Sequence, residues 1–149
     1  MYPSDGFREL GRQECLRLMA RVPVGRIVFT RRALPAVLPV NFRLDADGAV
    51  LLRTAADSER VRAVDGAVVA FEADDIDPDR HAGWSVVVTG PARVVTDTAE
   101  QRRLAVTGPV SWAPSAREVF VRVESELVSG RELVAGRSLY GVSLAITKS

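Results

Sequence analysis

The side chains best equipped for chemistry gather around residues 53–60. Arg53 and Thr54 end a short apolar run (Val50, Leu51, Leu52), and Ser58 and Arg60 follow within one helical turn of the next element. A strand end that feeds a helix N-terminus collects free backbone amides, hydroxyls and guanidinium groups. Together these suit a phosphate dianion, because Arg can bind two oxygens at once. The same residues also allow a purely structural arrangement, with Arg53 and Arg60 paired to Asp57 and Glu59. Two tryptophans form the second feature. Trp84 opens an apolar strand within Gly83-Trp84-Ser85, where it serves either the core or a ligand, with Ser85 a surface hydroxyl. Trp112 lies in a loop with Pro109 and Pro114, where no periodicity places it in a core. In a chain with only 6% aromatic residues, two tryptophans are enough to cover a flat, apolar ligand.

Other chemistries are absent or weakly signalled. The chain has one His and one Cys, His81 and Cys15, too few for a zinc site. His81 lies in a charged loop with no nucleophile at a recognisable spacing, and reads as solvated. Cys15 reads as a small buried apolar side chain, since no His or Lys stands near it to lower its pKa. The acidic run Glu72, Asp74, Asp75, Asp77, Asp79 lacks the Gly and terminal Glu of a calcium loop and reads as a solvated surface. No glycine-rich dinucleotide fingerprint, P-loop or nucleophile elbow occurs. No catalytic residue can be named.

The elements that must position these groups fit one domain over residues 1–149. A chain of this size buries about two thirds of its unfolded surface, so it needs neither disulfide nor structural metal. A net charge of +1, from 20 basic and 19 acidic residues, lacks the basic footprint of a nucleic-acid binder. All basic residues except Lys148 are arginine, the better bidentate phosphate ligand. No uncharged run approaches the roughly 18 residues of a membrane span, and residues 1–9 carry no apolar signal core. A soluble, cytoplasmic protein is expected.

Apolar positions at helical spacing (Cys15, Leu18, Met19, Val22) predict a helix over 12–21, opened by Gly11 and Glu14 and stopped by Pro23. The period then changes to two. Strands are predicted over 24–30, 36–44, 50–54, 67–73, 84–96 with a break at Gly90-Pro91, and 118–127, ended by Ser129-Gly130. Pro39 demotes the second strand to an edge or a bulge and leaves a neighbouring backbone group free. Asp45-Ala46-Asp47-Gly48 is a hairpin turn. Short helices are predicted over 57–64, capped by Asp57 or Ser58, and 98–106, capped by Asp97. Residues 74–81 read as an acidic loop, and the tail 134–149 has no assignment. Six strands with few helices predict a mostly β, α+β chain: an antiparallel six-stranded split or half-closed barrel.

Several segments together resemble the pyridoxamine 5′-phosphate oxidase-like proteins, the FMN-binding split β-barrels, in particular their small actinobacterial members. They are Glu14-Cys15-Leu16-Arg17-Leu18-Met19, Pro23-Val24-Gly25-Arg26-Ile27, Leu38-Pro39-Val40-Asn41-Phe42, Leu51-Leu52-Arg53-Thr54, Val69-Ala70-Phe71-Glu72, Gly83-Trp84-Ser85-Val86, Trp112-Ala113-Pro114 and Val121-Arg122-Val123 leading to Gly130-Arg131. The match covers about residues 9–133. The resemblance implies a homodimer with two flavin sites at the subunit interface. It implies that Pro39, Val40 and Asn41 run along the isoalloxazine ring, and that Arg53, Thr54 and the basic position Arg60 hold the phosphate. The family usually carries Lys where this chain has Arg60. It further implies that the Trp84-Ser85 segment reaches the cofactor across the interface.

The function so implied is an FMN-dependent oxidoreductase. It would pass a hydride or electrons from a reduced nicotinamide to a small-molecule acceptor bound over the ring near Trp112. The cofactor does the redox chemistry, which accounts for the missing acid–base pair. One alternative is a deazaflavin coenzyme, whose acidic tail would need a basic groove such as Arg31, Arg32 and Arg43 offer; haem is another cofactor of this fold. A third is a flavin carrier, sensor or cofactor-free dimeric module. Oxidation of pyridoxamine phosphate itself is not expected, because the chain is shorter than those oxidases and shows no second phosphate site.

Overall fold

Nine strands and three short helices make up the described residues, 6–133, of the computed structural model. Their order is β1 (Phe7–Leu10), α1 (Arg12–Met19), β2 (Val24–Arg31), β3 (Leu34–Asn41), β4 (Arg43–Leu44), β5 (Val50–Ala55), α2 (Glu59–Val64), β6 (Val68–Asp77), β7 (Ala82–Val94), α3 (Thr98–Thr107), β8 (Glu118–Val123) and β9 (Leu127–Leu133). Every strand pair is antiparallel, along the path β3-β2-β6-β7-β8-β5-β4, with β9 also on β7 and β1 on β9. The class is the expected one, mostly antiparallel β with a few short helices in a split barrel. The tail 134–149 lies outside the described residues.

The split occurs on β7. Its first half, Gly83–Thr89, pairs with β9, and Ala92–Val94 pair with β8. The predicted break at Gly90-Pro91 is therefore not in β7, which runs unbroken from Ala82 to Val94. It falls in the neighbour instead, where the predicted strand 118–127 divides into β8 and β9 around residues 124–126. Gly90 is what allows this, because a Cβ there would overlap the Glu124 carbonyl oxygen. Ser129-Gly130 likewise ends no strand and sits inside β9, where Gly130 makes room for Cys15 of α1; a Cβ would come within 2.6 Å of the sulfur. The remaining additions to the predicted six strands are β1 and β4, with Phe42 separating β3 from β4. Residues 74–77, read as loop, continue β6, because their backbones pair with residues 82–85 of β7.

Alternation builds the core. Ile27 and Phe29 of β2, Phe71 and Ala73 of β6, Val86 and Val88 of β7, and Val121 and Val123 of β8 all face inward, with Cys15 and Met19 of α1 among them. Phe42 stacks edge-on against Phe71 at 4.8 Å between ring centres. A second, smaller cluster (Leu51, Val95, Leu104, Phe120) packs α3 against the other face of β5 and β8. The caps follow the sequence. The Ser58 hydroxyl accepts from the Val61 amide at 3.1 Å, and the Asp97 carboxylate from the Glu100 amide at 2.9 Å. The hairpin turn before β5 is pinned by buried Arg122 of β8, which donates to Asp45, Asp47 and Glu124.

The phase of the β2–β3 ladder decides which backbone groups of β3 stay unpaired. The Phe42 amide donates to the Pro23 carbonyl at 3.1 Å, so residues 34, 36, 38 and 40 also direct their amides at β2, and 35, 37, 39 and 41 turn theirs to the open edge. Pro35 and Pro39 both fall in the second set, where no ladder bond is lost. β3 is accordingly the edge strand that Pro39 predicts.

Candidate functional site

A cavity of about 410 Å³ opens beside this edge. The end of β3 supplies Pro39, Val40 and Asn41, and β5 supplies Leu52, Arg53 and Thr54. Arg60, Val61 and Val64 come from α2, Ser111, Trp112 and Ala113 from the loop before β8, and Val24, Ile27 and Val121 complete the apolar floor. The walls are thus apolar, with guanidinium and hydroxyl groups at one end and a strand edge at the other. By that phase the Asn41 backbone amide faces the open edge as a donor, and the Pro39 and Asn41 carbonyls face it as acceptors, unpaired among the described residues.

The charged end is tightly organised. Arg53 donates through Nε to Glu118 Oε1 at 3.1 Å, and its guanidinium lies over the Phe120 ring, 5.0 Å from the centre. Residues 53 and 120, and 55 and 118, are register partners on β5 and β8, which is why these side chains meet. Arg60 donates through Nη2 to Thr54 Oγ1 at 2.6 Å. Among the described residues, its Nε and Glu118 Oε2 are buried without a hydrogen-bond partner. The structural pairing with Asp57 and Glu59 does not form. Glu59 takes Arg31 at 3.3 Å and Arg32 at 3.5 Å, and both cavity arginines stay at the cavity. Since Arg31 and Arg32 share Glu59, the basic groove considered for an acidic tail is partly neutralised.

The loop over the cavity is latched at both ends. The Asn41 side-chain amide donates to the Val110 carbonyl at 2.7 Å. At the other end the Ser111 hydroxyl, then the Ser115 backbone and the Arg53 guanidinium, hold the Glu118 carboxyl below the usual carboxylate range. Trp112 between them is 65% exposed at the cavity mouth.

The other sequence candidates fall elsewhere. Ser58 spends its hydroxyl on the α2 cap and does not line the cavity. Trp84 is a core residue of β7, and Ser85, next along the strand, points to the opposite face; neither lines this cavity. His81 is exposed in the turn after β6. Cys15 is fully buried, and burial pushes its thiol pKa up. Of the acidic run, Glu72 and Asp74 share Arg26 at 3.2 and 3.3 Å. Burial, followed by the neighbouring Asp74, pushes the Glu72 carboxyl up to about 7. Among the described residues no cluster of three or more His, Cys, Asp or Glu is placed to hold a metal, and no helix is long and apolar enough to cross a membrane. Glu118, Phe120 and Ser111 were not visible as site residues in the sequence. The β5–β8 register reveals Glu118 and Phe120, and the loop over the cavity brings in Ser111.

A profile of the family described as pyridoxamine 5′-phosphate oxidase matches residues 11–132. The chain belongs to that family. An uncharacterised protein of Mycobacterium tuberculosis is 47% identical over 133 residues, covering 85% of this chain and 86% of its own. Among solved structures, the FAD binding protein from Mycobacterium smegmatis is similar with a TM-score of 0.77 and 36% identity, over 87% of this chain and all of that one. An FAD-binding protein from Mesorhizobium loti shares the fold at a TM-score of 0.73 and 21% identity, over 86% of this chain and 99% of that one. For a member of the pyridoxamine 5′-phosphate oxidase family, the residues present fit a phosphate-bearing flavin. Among the described residues the orphaned, buried Arg60 Nε is an unsatisfied donor at one end of an apolar slot, where the Arg53 guanidinium is part-exposed, and a buried donor without a partner is costly.

Proposed function

We propose that the chain binds a flavin and works as a flavin-dependent oxidoreductase on a small molecule. The phosphate is held by Arg53, Thr54 and Arg60. The ring lies along Pro39, Val40 and Asn41, with Trp112 at the cavity mouth. The buried, unpartnered Nε of Arg60 carries this reading, because it marks a place where an anion completes the protein's own hydrogen bonding. FMN is the smallest flavin that satisfies it. FAD contains the same unit, and the name of the Mycobacterium smegmatis relative favours it.

When bound, a flavin supplies hydride and electron transfer at its ring. The chain's residues bind and orient. Arg53 and Arg60 neutralise the phosphate, the Asn41 amide and the neighbouring carbonyls meet the polar edge of the ring, and Val24, Ile27, Leu52 and Val121 exclude water beneath it. We also propose that the working unit is a homodimer. The outer face of the sheet exposes Val37 (58%), Val68 (69%) and Leu127 (69%), a surface suited to a second copy. Ser85 lies on that face, from which it can approach the partner's cavity.

The test is anaerobic mixing of flavin-loaded protein with NADH and NADPH, alongside a light-scattering mass. Bleaching of the bound flavin, reoxidised by a small acceptor, together with a dimer mass, is expected. A bound flavin that neither donor reduces favours the carrier or sensor reading. Binding of a deazaflavin in preference to both flavins overturns the cofactor assignment.

A further inference from the structure

We infer that the groove between the end of α1 and the β3–β4 corner is a second ligand site, separate from the flavin cavity, and that it takes an organic acid with an apolar body. This second site is independent of the flavin reading.

The groove arises where the chain changes direction twice. Pro23 keeps α1 from continuing, and the chain turns there, with the Arg21 amide donating to the Leu18 carbonyl at 3.0 Å and the Val22 amide to the Met19 carbonyl at 3.3 Å. On the other side β3 ends at Asn41, and at Phe42 the chain crosses from the β2–β3 ladder to the β4–β5 ladder. The Phe42 amide ties the two turns together by donating to the Pro23 carbonyl at 3.1 Å. Between them lies a concavity of about 360 Å³, within the range of small-molecule sites, roughly 300–1,000 Å³. It shares no lining residue with the flavin cavity.

Its lining divides by chemistry. Buried Met19 and Phe42 form the floor, half-buried Val22 and Leu44 the sides, and Arg21 and Arg43 the charged rim. Both arginines are exposed, and neither side chain makes a hydrogen bond or ion pair with the described residues. The carboxylates nearest to them in sequence are committed elsewhere. Glu14 takes Arg8 and the Gly11 amide, both at 3.4 Å. Asp45 takes Arg103 at 2.8 Å and Arg122 at 2.7 Å, and Asp47 also takes Arg122. The groove thus keeps two uncompensated positive charges in a chain whose net charge is +1.

That combination selects the ligand. A guanidinium pairs with a carboxylate through two parallel hydrogen bonds, and the apolar floor removes a hydrocarbon body from water. A small polar anion leaves the floor unused, and a neutral apolar molecule leaves both arginines unused. An organic acid with an apolar body uses both.

Calorimetric titration of the full chain with octanoate tests this, with acetate as the charge-only probe and octanol as the body-only probe. Saturable one-to-one octanoate binding is expected, about tenfold tighter than either. An exposed ion pair is worth up to about fivefold in affinity, so Arg21→Ala,Arg43→Ala weakens octanoate about tenfold, and added salt weakens the wild type severalfold. These two side chains hold nothing else in place, so the variant unfolds in urea with the wild-type midpoint. The flavin cavity also pairs arginines with an apolar slot, which makes Arg53→Ala,Arg60→Ala the deciding control. Its octanoate affinity is expected to equal that of wild type, as is the affinity of wild type saturated with flavin. Binding lost in Arg53→Ala,Arg60→Ala and kept in Arg21→Ala,Arg43→Ala puts octanoate in the flavin cavity and overturns the inference. So does acetate or octanol binding as tightly as octanoate, and so does the absence of saturable binding. A chain that binds octanoate as expected but takes up no flavin overturns the flavin reading and leaves this site standing.

Discussion

Arg60→Ala separates a binding role from a structural one. In the free protein Arg60 makes one side-chain hydrogen bond, to Thr54 Oγ1 at 2.6 Å, and leaves Nε buried and unpaired. A typical hydrogen bond contributes about 1 kcal/mol, whereas an unpaired buried donor costs about 1–3 kcal/mol. Removing both together leaves folding stability nearly equal, or raises it by up to about 2 kcal/mol. For flavin binding the balance is one-sided. Charge-assisted hydrogen bonds to a phosphate are worth about 1.5–3 kcal/mol, so the variant loses about 10- to 150-fold in affinity. Urea unfolding of the flavin-free proteins and calorimetric titration with flavin measure the two quantities. The expected result is nearly equal stability with a much weaker complex, and Arg60→Lys intermediate because it keeps the charge but not the fork. A large loss of stability with unchanged flavin affinity refutes the reasoning and makes Arg60 a structural residue.

Three further outcomes rest on packing and charge. Gly90→Ala puts a methyl onto the Glu124 carbonyl oxygen at the divergence of the two sheets and is expected to cost more than about 3 kcal/mol, read as a fall in urea midpoint or failure to fold. Arg122→Leu strands the carboxylates that Arg122 joins and costs about 3 kcal/mol in the same urea assay. The third is the pH dependence of wild-type stability. Asp45, held well below the usual carboxylate range chiefly by Arg103, binds protons more weakly in the folded state, so stability should fall as the pH drops below about 3.8, the unfolded value. Glu72 has the opposite sign. Its carboxyl titrates near 7 in the fold and 4.5 in the unfolded chain, so stability declines as pH rises between those values, and Glu72→Gln flattens that slope.

What the sequence revealed was local. The Ser58 and Asp97 caps, the period-two runs and the edge character forced by Pro39 depend on neighbours a few residues away, and the structure has them. The errors concern close approach of distant segments. Gly90 looked like a strand breaker because its partner, Glu124, is 34 residues away in sequence. Gly130 looked like a terminator because its partner is Cys15. The candidate site shows the same division. Arg53, Thr54 and Arg60 were legible because a strand end and the next helix turn place them together. Glu118 reaches Arg53 only through the β5–β8 register, and Arg122 reaches Asp45 only by a hairpin folding onto β8. Trp84 was ambiguous because an apolar strand start reads the same for a core residue and a ligand cover. Its burial decides for the core.

At the centre of the flavin reading stands the anion clamp of Arg53, Thr54 and Arg60 at the end of the slot. The most direct measurement is the absorption spectrum of the purified wild-type chain, followed by flavin titration of wild type and Arg53→Ala,Arg60→Ala. The expected result is a yellow protein, or saturable one-to-one flavin uptake by the flavin-free form, with uptake abolished in the double variant while its far-UV circular dichroism stays unchanged. A colourless wild-type protein that takes up neither flavin, or a double variant that binds as tightly as wild type, contradicts it.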